Sequence, residues 1–206
     1  GLAKAAVAVL VDGAIQDLAL PVTADAAVSI VTKKSGDEYL YPMRHSAAHV
    51  MAEAVMTVIP EAKFGFGPPI EDGFYYDFEL PRPLTEADFP AIEAEINRII
   101  KSRSSFERTV MSMAEARAFF TELGQPYKVD QVDELERQGE TEVSIYRQRD
   151  FVDLCRGPHV HDTGAIGPVK LLSVAGAYWR GSEKNPMLTR VYATSFPTRT
   201  EVDAHL

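Results

Sequence analysis

Short apolar runs, broken at intervals by turn residues, open the chain. Residues 5–34 read as strand, turn and strand: AVAVLVDG ends in an Asp12-Gly13 turn, AIQDLAL follows, and AVSIVTKK closes the piece. The stretch KKSGDEYLYP reads as a linker. Pro42 then precedes a helical pattern, MRHSAAHVMAEAVMTVI, that stops at Pro60. Next comes KFGFGPPIEDGFYYDFEL, which reads as two strands around an Asp72-Gly73 turn. Thr85 caps a helix over TEADFPAIEAEINRIIKS, with Pro90 in its first turns. Ser112 and Glu115 form a capping box for MAEARAFFTEL, with Gly124 as the stop. From Lys128 onward the pattern changes to strand-like runs separated by turns: EVSIYR, DFVDL, VKLLSVA, AYWRG and TRVYATSF. The last residues, TRTEVDAHL, read as the first turns of a helix. Neither an internal repeat nor a low-complexity segment interrupts this order. The class it predicts is α+β, with two or three helices packed on a largely antiparallel sheet.

Composition narrows the picture. With 206 residues and 46% hydrophobic content, the chain can bury one good core and a small second one. No run approaches the roughly 18 consecutive apolar residues of a membrane span, and the N-terminal apolar run, broken by Asp12 and Asp17, does not read as a signal peptide. Cys155 is the sole cysteine, so no internal disulfide can form, which fits a reducing compartment such as the cytoplasm. The formal charge of −9 argues against a general nucleic-acid binder. It leaves room for a local basic surface in the run RIIKSRSSFER (Arg98 to Arg108), whose plainer reading is a solvated helix end.

Candidate chemistry lies in two spaced pairs. His45 and His49 are four residues apart on the predicted helix, so they share a face. Cys155 and His159 have the same spacing in DLCRGPHV, where Gly157-Pro158 favours a loop. Together they use the only cysteine and three of the five histidines, which points to one shared site. Three imidazoles and a thiolate suit tetrahedral zinc, either as a structural staple or otherwise. They equally suit metal-free proton transfer, or a cysteine nucleophile activated by histidine. Spacing leaves all three open. His161 and His205 fall outside the pattern and read as surface residues.

The strings RHSAAHVMAEAV, GPPIEDGFYYDF, FVDLCRGPHV and LLSVAGAYWRGSEKNPMLTRVYATSFPT closely resemble the editing domain of bacterial and organellar threonyl-tRNA synthetases. The paired HxxxH and CxxxH pattern is shared with alanyl-type editing domains; AGAYWRG and CRGPH point to the threonyl branch. The resemblance implies three parts: residues 1–35 as the C-terminal part of a small TGS-like domain, 36–197 as the editing domain, and 198–206 as the start of a helix toward an ATP-dependent aminoacylation core. It implies His45, His49, Cys155 and His159 as the editing tetrad. Lys128 matches a lysine in a similar YK string, Asp153 the acid two residues before the cysteine, and Tyr76 a tyrosine near the substrate.

The activity implied is hydrolysis of the ester of wrongly charged Ser-tRNA(Thr), sparing Thr-tRNA(Thr). The partner implied is the acceptor end of tRNA(Thr), in the cytoplasm or an organellar matrix, with homodimerisation through the aminoacylation core. His45 is expected to orient or deprotonate water, Lys128 to offset charge on the tetrahedral intermediate, and Asp153 to hold the substrate's ammonium. Cys155 is expected to contact substrate or water. No cofactor is expected for editing, because four protein ligands would close a zinc ion's shell; zinc on the tetrad is the alternative. Rival readings are a zinc module that only grips tRNA, a freestanding deacylase, and alanyl-type editing.

Overall fold

A computed structural model describes the whole chain, Gly1–Leu206. A four-residue helix, α1 (Leu2–Ala5), leads into a small sheet of β1 (Ala6–Val11), β2 (Ala14–Gln16) and β3 (Val28–Thr32), in order β2-β1-β3, all antiparallel. Asp12 and Gly13 both take positive φ at the β1–β2 turn, as a tight hairpin requires. Val7, Ala8 and Val31 turn inward and join the main core, so this piece is seated on the rest of the molecule.

The long helix α2 (Asp37–Val58) follows. It begins inside the stretch expected to be a linker, and Pro42 lies within it rather than ahead of it. Proline there removes the bond to the carbonyl four residues earlier. That carbonyl belongs to the exposed Glu38, where water can satisfy it. From Met43 to Val55 only His45 reaches the surface, so α2 is the buried axis of the fold.

A five-stranded antiparallel sheet covers this helix. Its strands are β4 (Lys63–Phe64), β5 (Pro69–Ile70), β6 (Gly73–Glu79), β10 (Val169–Tyr178) and β11 (Met187–Ser195). The order is β10-β11-β6-β4, with β5 also on β6 through the expected Asp72-Gly73 turn. Helix α3 (Phe89–Ser102) buries Phe89, Ile92, Ile96 and Ile99 at helical spacing in the same core. Thr85 and Asp88 close a capping box around the short 3₁₀ turn before it.

A third sheet, β7 (Glu107–Ser112), β8 (Glu142–Gln148) and β9 (Phe151–Leu154), pairs antiparallel in chain order. Helix α4 (Met113–Glu122), with the Ser112/Glu115 capping box, packs on it. Helix α5 (Pro126–Arg137) packs there too, and it lies where a loop was expected. Helix α6 (Arg199–His205) ends the chain.

The α+β class is therefore observed, with two differences. The strands form three sheets rather than one, and six helices replace the two or three expected. Trp179–Gly181 of AYWRG makes a 3₁₀ turn in which Arg180 takes positive φ, so that segment ends a strand instead of forming one. No helix is long and apolar enough to cross a membrane.

Candidate functional site

His45 and His49 project from adjacent turns of α2, and Cys155 and His159 sit in the loop leaving β9. One nitrogen of each imidazole and Sγ of Cys155 all lie within 4.8 Å of one another. The rings of His45 and His159 stack at 4.3 Å, and His49 meets His159 at the same centroid distance. The two sequence pairs, more than a hundred residues apart, thus converge on one point.

Hydrogen bonds fix the tautomers. His45 Nδ1 faces the Pro158 carbonyl at 3.2 Å; a carbonyl only accepts, so Nδ1 carries the proton. The Ser46 hydroxyl donates to the Pro42 carbonyl at 2.7 Å, so His159 Nδ1, 3.0 Å from Ser46 Oγ, is the donor in that pair. Both neutral rings are left with a lone pair on Nε2, and both Nε2 atoms face Cys155 Sγ, at 3.1 Å and 3.3 Å. One thiol proton cannot serve two acceptors. One Nε2 lone pair therefore has no donor from Cys155, and His45 is the ring that reaches solvent.

Beneath the tetrad lies a buried charge cluster. Asp153 forms an ion pair with Lys128 Nζ at 2.5 Å, accepts from Tyr76 Oη at 2.6 Å, and lies 3.3 Å from His49 Nε2. Asp153, Lys128 and Tyr76 are all 2% exposed or less. Sequence reasoning set Asp153 and Tyr76 at the substrate and Lys128 at the intermediate. The structure puts all three under the histidines, with the carboxylate already shared among partners. Burial raises the proton affinity of Asp153, but Lys128 and then His49 outweigh it, and its pKa is held below the ordinary value.

Burial dominates the other site groups. It lowers His45 to about 4, against an upward pull from Asp153 and the Pro158 carbonyl. It lowers His49 to about 3 and pushes His159 well below the usual imidazole range. Burial, followed by the charge of Asp153, pushes the Cys155 thiol up, so it is protonated at neutral pH. A thiolate nucleophile is accordingly disfavoured here.

Cys155 also lines a cavity of about 550 Å³ together with Phe66, Ser144, Trp179 and Arg156. The cavity offers aromatic faces and a rim of mixed charge beside the tetrad, where Arg156 pairs with Glu140 and Arg180 with Glu134. His161 and His205, expected outside the site, are exposed and take no part in it.

Several supporting residues escaped sequence reasoning. Ser46 bonds His159 and also accepts from Val160 N–H at 3.0 Å. Phe106 stacks on His159 at 4.9 Å with planes 5° apart, and Tyr146 tilts against it at 4.5 Å. Asp17, read only as a break in an apolar run, accepts from His159 N–H at 2.6 Å. Ser46 could have been found as the neighbour of His45; the others carry no local signal.

Residues 143–192 match the family model described as the threonyl and alanyl tRNA synthetase second additional domain. This match spans β8 to β11 and includes Asp153, Cys155 and His159. The whole chain is 47% identical to a threonine–tRNA ligase of Gluconobacter oxydans and 48% identical to one of Acidithiobacillus ferrooxidans, covering 32% of each. A third, from Oleidesulfovibrio alaskensis, is 56% identical over 164 residues, 80% of this chain and 25% of that protein. Residues 143–192 are thus similar to the second additional domain of the threonyl and alanyl enzymes. Over its full length the chain's similarity is to bacterial threonyl-tRNA synthetases, and it spans about a third of their length.

Proposed function

We propose that this chain is an editing region that hydrolyses the ester of serine wrongly attached to tRNA(Thr) and spares threonine. The observation that carries the reading is the convergence of three imidazoles and one thiol within 4.8 Å, beside a cavity, in a chain similar to threonyl-tRNA synthetases. Ester hydrolysis needs a positioned water, an acceptor for its proton and stabilisation of the developing oxyanion. His45, the one partly exposed ring of the tetrad, takes the proton at Nε2, directly or through a ribose hydroxyl of the terminal adenosine. The neutral Cys155 thiol donates to His159 Nε2 or to the substrate and forms no acyl-enzyme. His49 and His159 fix the other two. Lys128 acts through its field: its charge sits under the tetrad, tied to Asp153, and favours negative charge developing above. Asp153 and Tyr76 hold this floor.

In this reading residues 1–35 are the end of a TGS-like unit, 36–197 the editing domain and 198–206 the start of a connection to an aminoacylation core. The partner is the seryl-charged acceptor end of tRNA(Thr), met in the cytoplasm. Dimerisation belongs to the aminoacylation core. The donor set also supports a second reading. His45, His49, Cys155 and His159 together fit zinc, which would supply a Lewis acid beside the cavity. Four ligands on one ion would nevertheless leave no position for water unless one were displaced, and metal-free editing is the reading preferred here.

The test is hydrolysis of purified Ser-tRNA(Thr) by the chain, with and without a chelator, alongside metal analysis. We expect chelator-insensitive hydrolysis. It should fall on the order of 10²–10⁴-fold in His45→Ala, the range associated with a lost acid–base group, while unfolding stays cooperative. Absence of hydrolysis by the wild-type chain would overturn the editing reading. One zinc per chain with chelator-sensitive turnover would replace the metal-free version. Tight zinc without hydrolysis, and a large stability loss in Cys155→Ala, would favour a structural staple.

A further inference from the structure

The loop that presents Cys155 and His159 is tied down from the far end of the chain. Asp17 directly follows β2 of the N-terminal sheet and is 8% exposed. Its Oδ1 accepts the main-chain N–H of His159 at 2.6 Å, and its Oδ2 accepts the hydroxyl of Tyr146. The two bonded groups act on one ring. Tyr146 tilts against the His159 imidazole at 4.5 Å, and Phe106 stacks on the same ring at 4.9 Å. The backbone of His159 and one wall of its ring cage are thus both set by a single carboxylate 142 residues away.

The loop's own backbone shows why an outside anchor matters. Gly157 lies between Cys155 and His159 with φ of +74°, a conformation that costs glycine little and is correspondingly easy to leave. A Cβ at that position would overlap the Tyr146 hydroxyl, so the loop, Tyr146 and Asp17 are in close register. A shift of the loop would carry His159 Nε2 and Cys155 Sγ away from their 3.3 Å contact. Displacements of this order matter to a site whose proton transfers need hydrogen-bond distances.

We propose that Asp17 is a positioning residue for the tetrad, through which the seating of the N-terminal sheet sets the geometry of the CxxxH loop. The proposal rests on the editing reading for its consequence in rate, but its geometric half is independent of any substrate. It predicts that loosening the N-terminal sheet slows the chemical step, although no residue of that sheet touches the reacting atoms.

The test pairs two readouts on the 206-residue chain. The first is steady-state deacylation of Ser-tRNA(Thr) by the wild type and by Asp17→Ala, Asp17→Asn and Tyr146→Phe. An asparagine keeps an accepting oxygen for His159 N–H and turns an NH2 donor toward the tyrosine oxygen, so it holds the loop bond without charge and reverses only the second bond. The expected result is a fall in kcat of about tenfold or more in Asp17→Ala with KM within about twofold, a partial fall in Tyr146→Phe, and rates near wild type in Asp17→Asn. The second readout is the rate of iodoacetamide alkylation of Cys155, the only thiol. It should rise in Asp17→Ala, because the loop is released, and stay low in Asp17→Asn.

The asparagine variant is the necessary control, since the charge of Asp17 itself also helps push the Cys155 thiol up. An Asn variant that matches Ala in both readouts would show that charge, not position, is what Asp17 supplies, and would overturn the proposal. So would unchanged kcat and unchanged alkylation in a cooperatively folded Asp17→Ala. Should that variant fail to fold, Tyr146→Phe and Asp17→Asn decide the matter by the same two measurements. If the wild type does not deacylate, the editing reading falls, and the alkylation rates alone still support or overturn the positioning role.

Discussion

At the scale of single residues the site is organised by desolvation. The histidines are buried as neutral rings, with His45 held near 4 and His49 near 3. The ordinary value for imidazole is 6.5. Between that value and about 4 the unfolded chain binds protons that the folded chain refuses, so stability rises with pH through this window and is flat above it as far as these groups act. Urea unfolding at pH 7.5, 6 and 5 should show falling midpoints toward acid with an unchanged slope. The same depression means His45 is already deprotonated at mildly acidic pH. Deacylation should therefore stay level from pH 8 down to about 5.5 and lose rate only as pH approaches 4. An acid limb centred near 6.5 would instead mean an imidazole with free access to water. The buried pair of Lys128 and Asp153 makes a separate prediction. Lys128→Met removes the nearest cation and leaves the carboxylate unpaired, at a cost on the order of 3–5 kcal/mol. Adding Asp153→Asn should return part of that stability while activity stays low, as measured by denaturant unfolding and by deacylation.

At the scale of elements, some features were legible because their signals are local. The capping box at Ser112 and Glu115, the Asp72-Gly73 turn and the helical pattern carrying HxxxH each need only a few neighbouring residues, and each formed. Helix α5 was not legible. Its acidic outer face, including Asp130, Asp133, Glu134 and Glu136, resembles a solvated loop. Its partners, Arg117, Trp179 and Arg180, come from elsewhere in the chain. Lys128 was consequently placed on a strand-and-loop segment, although it is buried, with Tyr127, in the first turn of α5. For the site, the chemistry-bearing pairs could be read from spacing, but not the floor or the anchors. Asp153 was read as a holder of the substrate's ammonium, and its partners Lys128 and Tyr76 were not legible because they reach it only through tertiary packing. The CxxxH loop supplies the test at this scale. Gly157→Ala sets a methyl against the Tyr146 hydroxyl and strains a positive φ. It should cost about 1–3 kcal/mol of stability. Deacylation should fall further than that loss explains at temperatures where the variant is fully folded. A Gly157→Ala chain with native stability and full turnover would show that the loop adapts, contrary to its close fit.

At the scale of the whole molecule, the site lies where two cores meet. The large core holds α2, α3 and the central sheet, and the smaller one holds α4, α5 and the third sheet. Strand β9 joins them: Phe151 belongs to the large core, Val152 to the small one, and Asp153 comes next beneath the tetrad. His45 and His49 come from the large unit, and Lys128 from the small one. A pocket built from side chains on separate packed layers cannot dilate without disturbing both, since protein interiors are close-packed. That rigidity bears on selection between serine and threonine. A site that must accept threonine cannot strongly exclude serine, because one missing methyl weakens binding by only about 1–3 kcal/mol. An unyielding pocket can do the reverse, rejecting the extra methyl by overlap. Cys155 Sγ sits 3.1 Å and 3.3 Å from two imidazole nitrogens, so the tetrad itself admits no methyl, and the overlap would arise where the cavity meets Cys155. We therefore expect the chain to hydrolyse Ser-tRNA(Thr) and leave Thr-tRNA(Thr) largely intact. A non-hydrolysable seryl-adenosine analogue should bind beside Cys155 more tightly than its threonyl counterpart. Side-by-side deacylation time courses on the two charged tRNAs decide the point. Equal rates would reject an editing role even with the tetrad and cavity intact, because correct product would then be destroyed as readily as error.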